Sequence, residues 1–97
     1  MHRKKFLEWR KDATLITWFQ PLIEGNEIPI EGWSAKWYLE DGLVVDLEPD
    51  LSVNAFQLQT RTWPAAVGRY RWYAEAVRDS DGESIILADG LLDYLEV

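Results

Sequence analysis

The sequence predicts an all-β domain, a two-sheet sandwich of about seven or eight short strands. Three observations lead there. Residues 33–39, WSAKWYL, place Trp33, Ala35, Trp37 and Leu39 on one parity and Ser34, Lys36 and Tyr38 on the other, the signature of a half-buried strand. Similar pieces recur as ATLITWF, GLVVDLE, AFQLQT and YRWYAEAV. Turn-rich sequence at GNE, DG, PD and DSDG separates them, and no strand–helix alternation of the kind a dinucleotide fold requires is visible.

Taken in order, a first strand is expected over about residues 4–9 and a second over about 13–20. In the second, Ile16 and Trp18 share one parity and Leu15, Thr17 and Phe19 the other; Trp18, with Ile16, is assigned to the core. Pro21 limits that strand because it has no N–H to donate, and Glu24-Gly25-Asn26-Glu27 supplies a turn before Ile28-Pro29-Ile30. Asp41-Gly42 has the chemistry of a type I′ hairpin joining WSAKWYLE to LVVDLE. Pro49-Asp50 closes the fourth strand, and Phe56, Leu58 and Thr60 alternate with polar residues in the fifth. Residues 62–67, TWPAAV, suit one helical turn capped by Thr62 and stopped by Gly68. From residue 69, Tyr70, Trp72, Ala74 and Ala76 face one way, with Arg69, Arg71, Tyr73 and Glu75 opposite. The remainder reads as one long bulged strand or two short ones broken at Asp89-Gly90.

Ninety-seven residues make a single domain, 1–97, and a 47% hydrophobic content suffices for one core. Cysteine is absent, so packing has to supply what disulfides or thiolate metal sites give other small domains. The net charge is −7, yet residues 1–11 carry five basic residues and one acidic, which leaves −11 on residues 12–97. An acidic body repels nucleic acid, and no basic patch interleaved with aromatics continues past Lys11. The apolar runs are short and interrupted by charge, so neither a signal peptide nor a membrane partner is expected.

The chemistry-bearing residues are few. His2 is the only histidine and lies at the terminus, which argues against a triad or an imidazole metal cluster. Acidic pairs such as Glu40 with Asp41 or Asp79 with Asp81 fall at turns, where Asp favours the backbone geometry. Asp79-Ser80-Asp81-Gly82-Glu83 has the look of a calcium loop, but counting from Asp79 puts Gly90 where the closing Glu belongs. No enzymatic activity, cofactor or metal is therefore expected. Trp33, Trp37 and Trp72 are assigned to the core, while Trp9 and Trp63 are placed over its open ends. Tyr38, Tyr73 and Tyr94 are candidates for a polar-rimmed contact face, because a phenol buries its ring and bonds through its hydroxyl. The candidate interface is thus Tyr38, Tyr73, Tyr94, Trp9 and Trp63.

The order FLEWRKDATLITW, NEIPIEGWSAKWYLEDG, TWPAAVGRYRWYAEAVRDSDGE and ADGLLDYLEV resembles small immunoglobulin-like modules of tailed-phage tail and baseplate proteins, most of all the N-terminal domain of the upper baseplate protein family. Arg10-Lys11-Asp12 stands at that family's Arg-Gly-Asp-like step, Ile28 to Gly32 at its connection, Gly68 to Tyr70 at its Gly-x-Tyr strand and Asp79 to Gly82 at its Asp-x-Asp-Gly turn. Lys11 replaces the family's Gly, and Glu31-Gly32 compresses a Leu-Thr-Gly element. The resemblance implies an immunoglobulin-like sandwich, a noncatalytic role in phage or prophage tail or baseplate assembly, and other virion structural proteins as partners, with a homo-oligomer as an option. It also implies residence in the host cytoplasm during assembly and then in the virion. The alternative is a small carbohydrate- or peptide-binding β-sandwich, which two coplanar exposed tryptophans beside polar groups would favour.

Overall fold

The computed structural model describes residues 3–23, 25–62, 64 and 66–96. They form β1 (Arg3–Arg10), β2 (Leu15–Phe19), β3 (Leu22–Ile23), β4 (Asn26–Glu27), β5 (Trp33–Leu39), β6 (Val44–Asp50), β7 (Ala55–Thr60), β8 (Gly68–Arg78) and β9 (Ser84–Leu95). The all-β class holds, but the two-sheet, immunoglobulin-like sandwich does not. One seven-stranded sheet runs in the order β1-β9-β8-β5-β6-β7-β2 and coils into a nearly closed barrel; β3 and β4 pair separately.

The physical reason lies in β6. Its first half, Val44 to Leu47, pairs with β5, and its second half, Glu48 to Asp50, pairs with β7. One strand thus belongs to both halves of the molecule, so the sheet bends at β6 where a sandwich would break into two. Pro49 sits at that bend, opposite Phe56, and contributes no donor. At the other end of the chain β1 lies parallel to β9, while every other ladder is antiparallel.

Alternation fills the barrel. Trp9, Phe19, Trp37, Phe56, Leu58, Trp72, Leu92 and Tyr94 are buried in one continuous core, with Trp33 packed against it. Ala74 and Ala76 give the large indoles of Trp37 and Trp72 room. On β2 the inward set is Leu15, Thr17 and Phe19, so Ile16 and Trp18 point outward, 53% and 42% exposed, against the expectation that they enter the core. Parity alone could not orient this strand, because both of its faces carry large apolar groups.

The two edges, β1 and β2, share no ladder. Lys5 bridges them: its Nζ donates to Thr17 Oγ1 at 2.8 Å and to the Trp18 carbonyl at 3.3 Å, and lies 5.4 Å from the Phe19 ring centroid. An inward-pointing charge on an edge strand is a recognised guard against pairing with another chain.

Local chemistry sets the turns. The Asp41-Gly42 hairpin forms, but only Gly42 has a positive φ, +102°, so a type I′ turn is ruled out. Gly42 N–H bonds to Leu39 O, Leu39 N–H bonds to Leu43 O, and Asp41 Oδ1 accepts from Leu43 N–H. This is the three-residue hairpin with a left-handed glycine. β9 is one strand, with Leu87 as the extra residue of a bulge between the Ala74/Ala88 and Glu75/Ile86 pairs. The helical turn expected over 62–67 rests partly on residues 63 and 65, outside the described residues.

Candidate recognition groove

The outward positions of β5, β8, β9 and β1 line up across the sheet. Register places Tyr38 opposite Tyr73, Tyr73 opposite Asp89, and Asp89 opposite Lys4. The row therefore reads Tyr, Tyr, Asp, Lys from β5 to β1. The two tyrosine rings stack at 4.7 Å between centroids and 17° between planes. Lys4 Nζ reaches Asp89 Oδ1 at 3.0 Å and Oδ2 at 3.1 Å.

The neighbouring row holds Arg71, Leu91 and Phe6 in register. Glu40, just past the end of β5, joins it through two bonds: its N–H donates to Arg71 O at 2.9 Å, and its Oε1 accepts from Arg71 N–H at 3.0 Å. Between these rows runs an open groove of about 600 Å³, lined on its rim by Lys4, Tyr38, Glu40, Arg71, Tyr73 and Asp89. Tyr73 is 42% exposed and Tyr38 half-buried, so the stacked pair stands as a raised aromatic ridge in a charged surround.

A third row closes the patch. Arg69 is paired with Asp93 by two parallel bonds, Nε to Oδ1 at 2.7 Å and Nη2 to Oδ2 at 3.1 Å, and its guanidinium also covers the exposed Phe6 ring at 5.2 Å. The hydrogen bond from Arg69 and its charge hold the Asp93 carboxyl below the usual carboxylate range, and the same contact raises the Arg69 guanidinium.

The structure separates the sequence-based interface candidates. Tyr38 and Tyr73 meet on the outer face. Tyr94 is 3% exposed and packs against Trp9, itself 1% exposed, with ring centroids 5.4 Å apart. Both stand in the core, and the Trp9 indole donates to Ala13 O at 2.9 Å, tying down the turn after β1. Trp63 lies outside the described residues. Trp9 therefore supplies no exposed platform, and the observation that would have favoured a glycan-binding sandwich is not met by it. Arg71, Glu40, Leu91, Asp89 and Lys4 were not among the sequence-based interface candidates, although parity had already set Arg71 on the outward face of Tyr73.

At the Asp79 to Glu83 loop the geometry is that of a hairpin: Gly82 N–H bonds to Arg78 O, and Arg78 N–H to Glu83 O. Asp81 Oδ1 accepts from Glu83 N–H at 3.0 Å, and Asp81 Oδ2 from Arg78 Nη1 at 3.1 Å. The Glu83 amide above all, with help from the Arg78 charge, keeps the Asp81 carboxyl low. Among the described residues no cluster of acidic or histidine side chains suited to a metal ion occurs.

Comparison of the sequence with family models and with curated proteins finds no match. Together with the continuous barrel sheet, this overturns the resemblance to phage baseplate modules: neither an immunoglobulin-like sandwich nor a phage relative stands behind it.

Proposed function

We propose that the chain is a noncatalytic recognition module that binds a protein partner across the outer face of β5, β8, β9 and β1. The observation that carries this reading is the Tyr38–Tyr73 ridge, stacked and exposed beside a groove of about 600 Å³. Tyrosine is a favoured anchor in protein interfaces because it offers large rigid area with a hydrogen-bonding tip, and an aromatic centre with a charged rim is the usual layout. The face is the outer surface of strands whose ladders are satisfied on both sides of β8, so partner contact there needs no rearrangement of the barrel.

A photo-cross-linking amino acid at position 73, compared with one at position 48 on β6, tests it in cells that express the chain. A discrete protein adduct from position 73 and none from position 48 is expected. Equal labelling from both positions, or none from 73, contradicts the reading; an adduct of two copies identifies the partner as the chain itself.

A further inference from the structure

Arg71 stands apart from the other cationic side chains. Lys4, Lys5, Arg10, Lys11, Lys36, Arg61, Arg69 and Arg78 each have a hydrogen bond or ion pair. Among the described side chains only the Arg71 guanidinium has none; its backbone alone is engaged, with Glu40. In a chain with 17 acidic residues against 10 basic ones, a cationic side chain with neither a hydrogen bond nor an ion pair is the exception among the described residues. This one is exposed and lines the groove beside the tyrosine ridge.

We infer that Arg71 is the receptor for a carboxylate of the partner, so that the groove selects an acidic segment of a protein whose neighbouring aromatic or aliphatic side chain lies against Tyr73. The inference rests on the proposed function and names the partner's chemistry. A guanidinium presents parallel N–H groups that match the two oxygens of a carboxylate, and such a charge-assisted pair is stronger and more directional than a neutral bond. The other charged side chains on the rim are engaged, Lys4 with Asp89 and Glu40 with the Arg71 N–H, and Arg69 in the next row is paired with Asp93. They leave one vacant cationic position, which fixes where the acidic residue sits relative to the ridge. The protein's own negative charge slows the encounter with an acidic partner in low salt, and specificity then comes from the local pair, not from long-range attraction.

The test is a nitrogen–proton NMR titration of the whole chain with the peptide Gly-Val-Glu-Phe-Glu-Val-Gly and with its Gln-for-Glu counterpart, capped at both ends. The Glu peptide is expected to shift the Arg71 Nε–Hε signal and the amides of Arg71 and Tyr73, and to bind at least tenfold more tightly than the Gln peptide. Arg71→Gln removes that preference, while Arg61→Gln, which changes a cation away from the groove, leaves it intact. Equal binding of the two peptides, no shift with either, or a preference that survives Arg71→Gln overturns the inference. So does a response to trigalacturonate in place of the peptide, which would assign the cation to an acidic glycan. If the position 73 cross-link to a protein persists while the Glu preference is missing, the recognition surface stands and only its acidic selectivity falls.

Discussion

Gly90 on β9 lies directly opposite Lys5 on β1, and the strands approach so closely that a Cβ built on Gly90 would stand 1.9 Å from the Lys5 carbonyl oxygen. The obstacle is backbone, which cannot swing aside as a side chain can. Gly90→Ala is therefore expected to part β1 from β9 and to cost at least about 3 kcal/mol. Gly82→Ala is the control: its φ is +75° but nothing lies within 4 Å of the added carbon. Only the left-handed backbone penalises it, by roughly 1–2 kcal/mol. Urea unfolding of the two variants checks the order, and equal midpoints would refute the close-approach account.

Asn54 is a second point of rigid attachment. It adopts a φ of +51°, and its side chain accepts from Ile30 N–H at 2.8 Å while its amide donates to Glu27 Oε1 and Ile28 O, each at 2.8 Å. One residue thus fastens the β3–β4 segment to the β6–β7 turn and seats Ile30 in the core. Asn54→Asp keeps the backbone preference but sets an acceptor against two acceptors, at a cost of about 1–3 kcal/mol. The introduced carboxyl gains a raised folded-state pKa, so the loss should be smallest at acid pH and grow as pH rises through that value. A loss that does not vary with pH would contradict this bonding scheme.

Lys5 closes the seam between β1 and β2. Lys5→Met removes the donor that Thr17 and the Trp18 carbonyl share and is expected to cost about 1 kcal/mol. The more telling readout is hydrogen exchange. Protection at Leu7, Ile16 and Trp18 should fall while that of β5 and β8 stays unchanged. Uniform change across all strands would mean that the bridge has no local role.

The two depressed carboxyls differ in origin and so in their response to mutation. Asp93 is held low by Arg69, so its folded-state pKa lies below its unfolded value and its stabilisation is present above the unfolded value and lost as pH falls through the folded one. Arg69→Gln should return Asp93 to the ordinary range. Asp81 is held low first by the Glu83 amide and then by Arg78, so Arg78→Gln should leave part of its depression in place. Carbon-detected NMR titration of both carboxyls checks this; equal recovery in the two variants would contradict the assignment of causes.

Much of the strand inventory was legible because period-2 alternation survives wherever one face is wet. Trp37, Leu39, Trp72 and Ala74 fall inside, and Tyr38 and Tyr73 outside, as their parity predicts. The same rule could not orient β2, where Trp18 and Phe19 are both large and aromatic, nor foresee that Tyr94 would share the inward face of Leu92. Sheet order was the larger loss. Whether two runs of strands share a strand depends on how β6 divides its ladders between β5 and β7, and each half of β6 looks like an ordinary strand in sequence. The groove was half visible: parity put Tyr38, Arg71 and Tyr73 outward, but only the register of four strands brings Tyr38, Lys4 and Asp89 together with β8 from distant parts of the chain.

The central claim is that the Tyr38–Tyr73 face is the recognition surface. Its most direct test is an NMR footprint of the chain in complex with the purified protein captured from position 73. Amide signals of Tyr38, Glu40, Arg71, Tyr73 and Leu91 are expected to shift or broaden, while those of Ile16 and Trp18 on β2 and of Val53 in the β6–β7 turn stay in place. A footprint centred on Ile16, Trp18 and Val53, with the tyrosine ridge undisturbed, would contradict it.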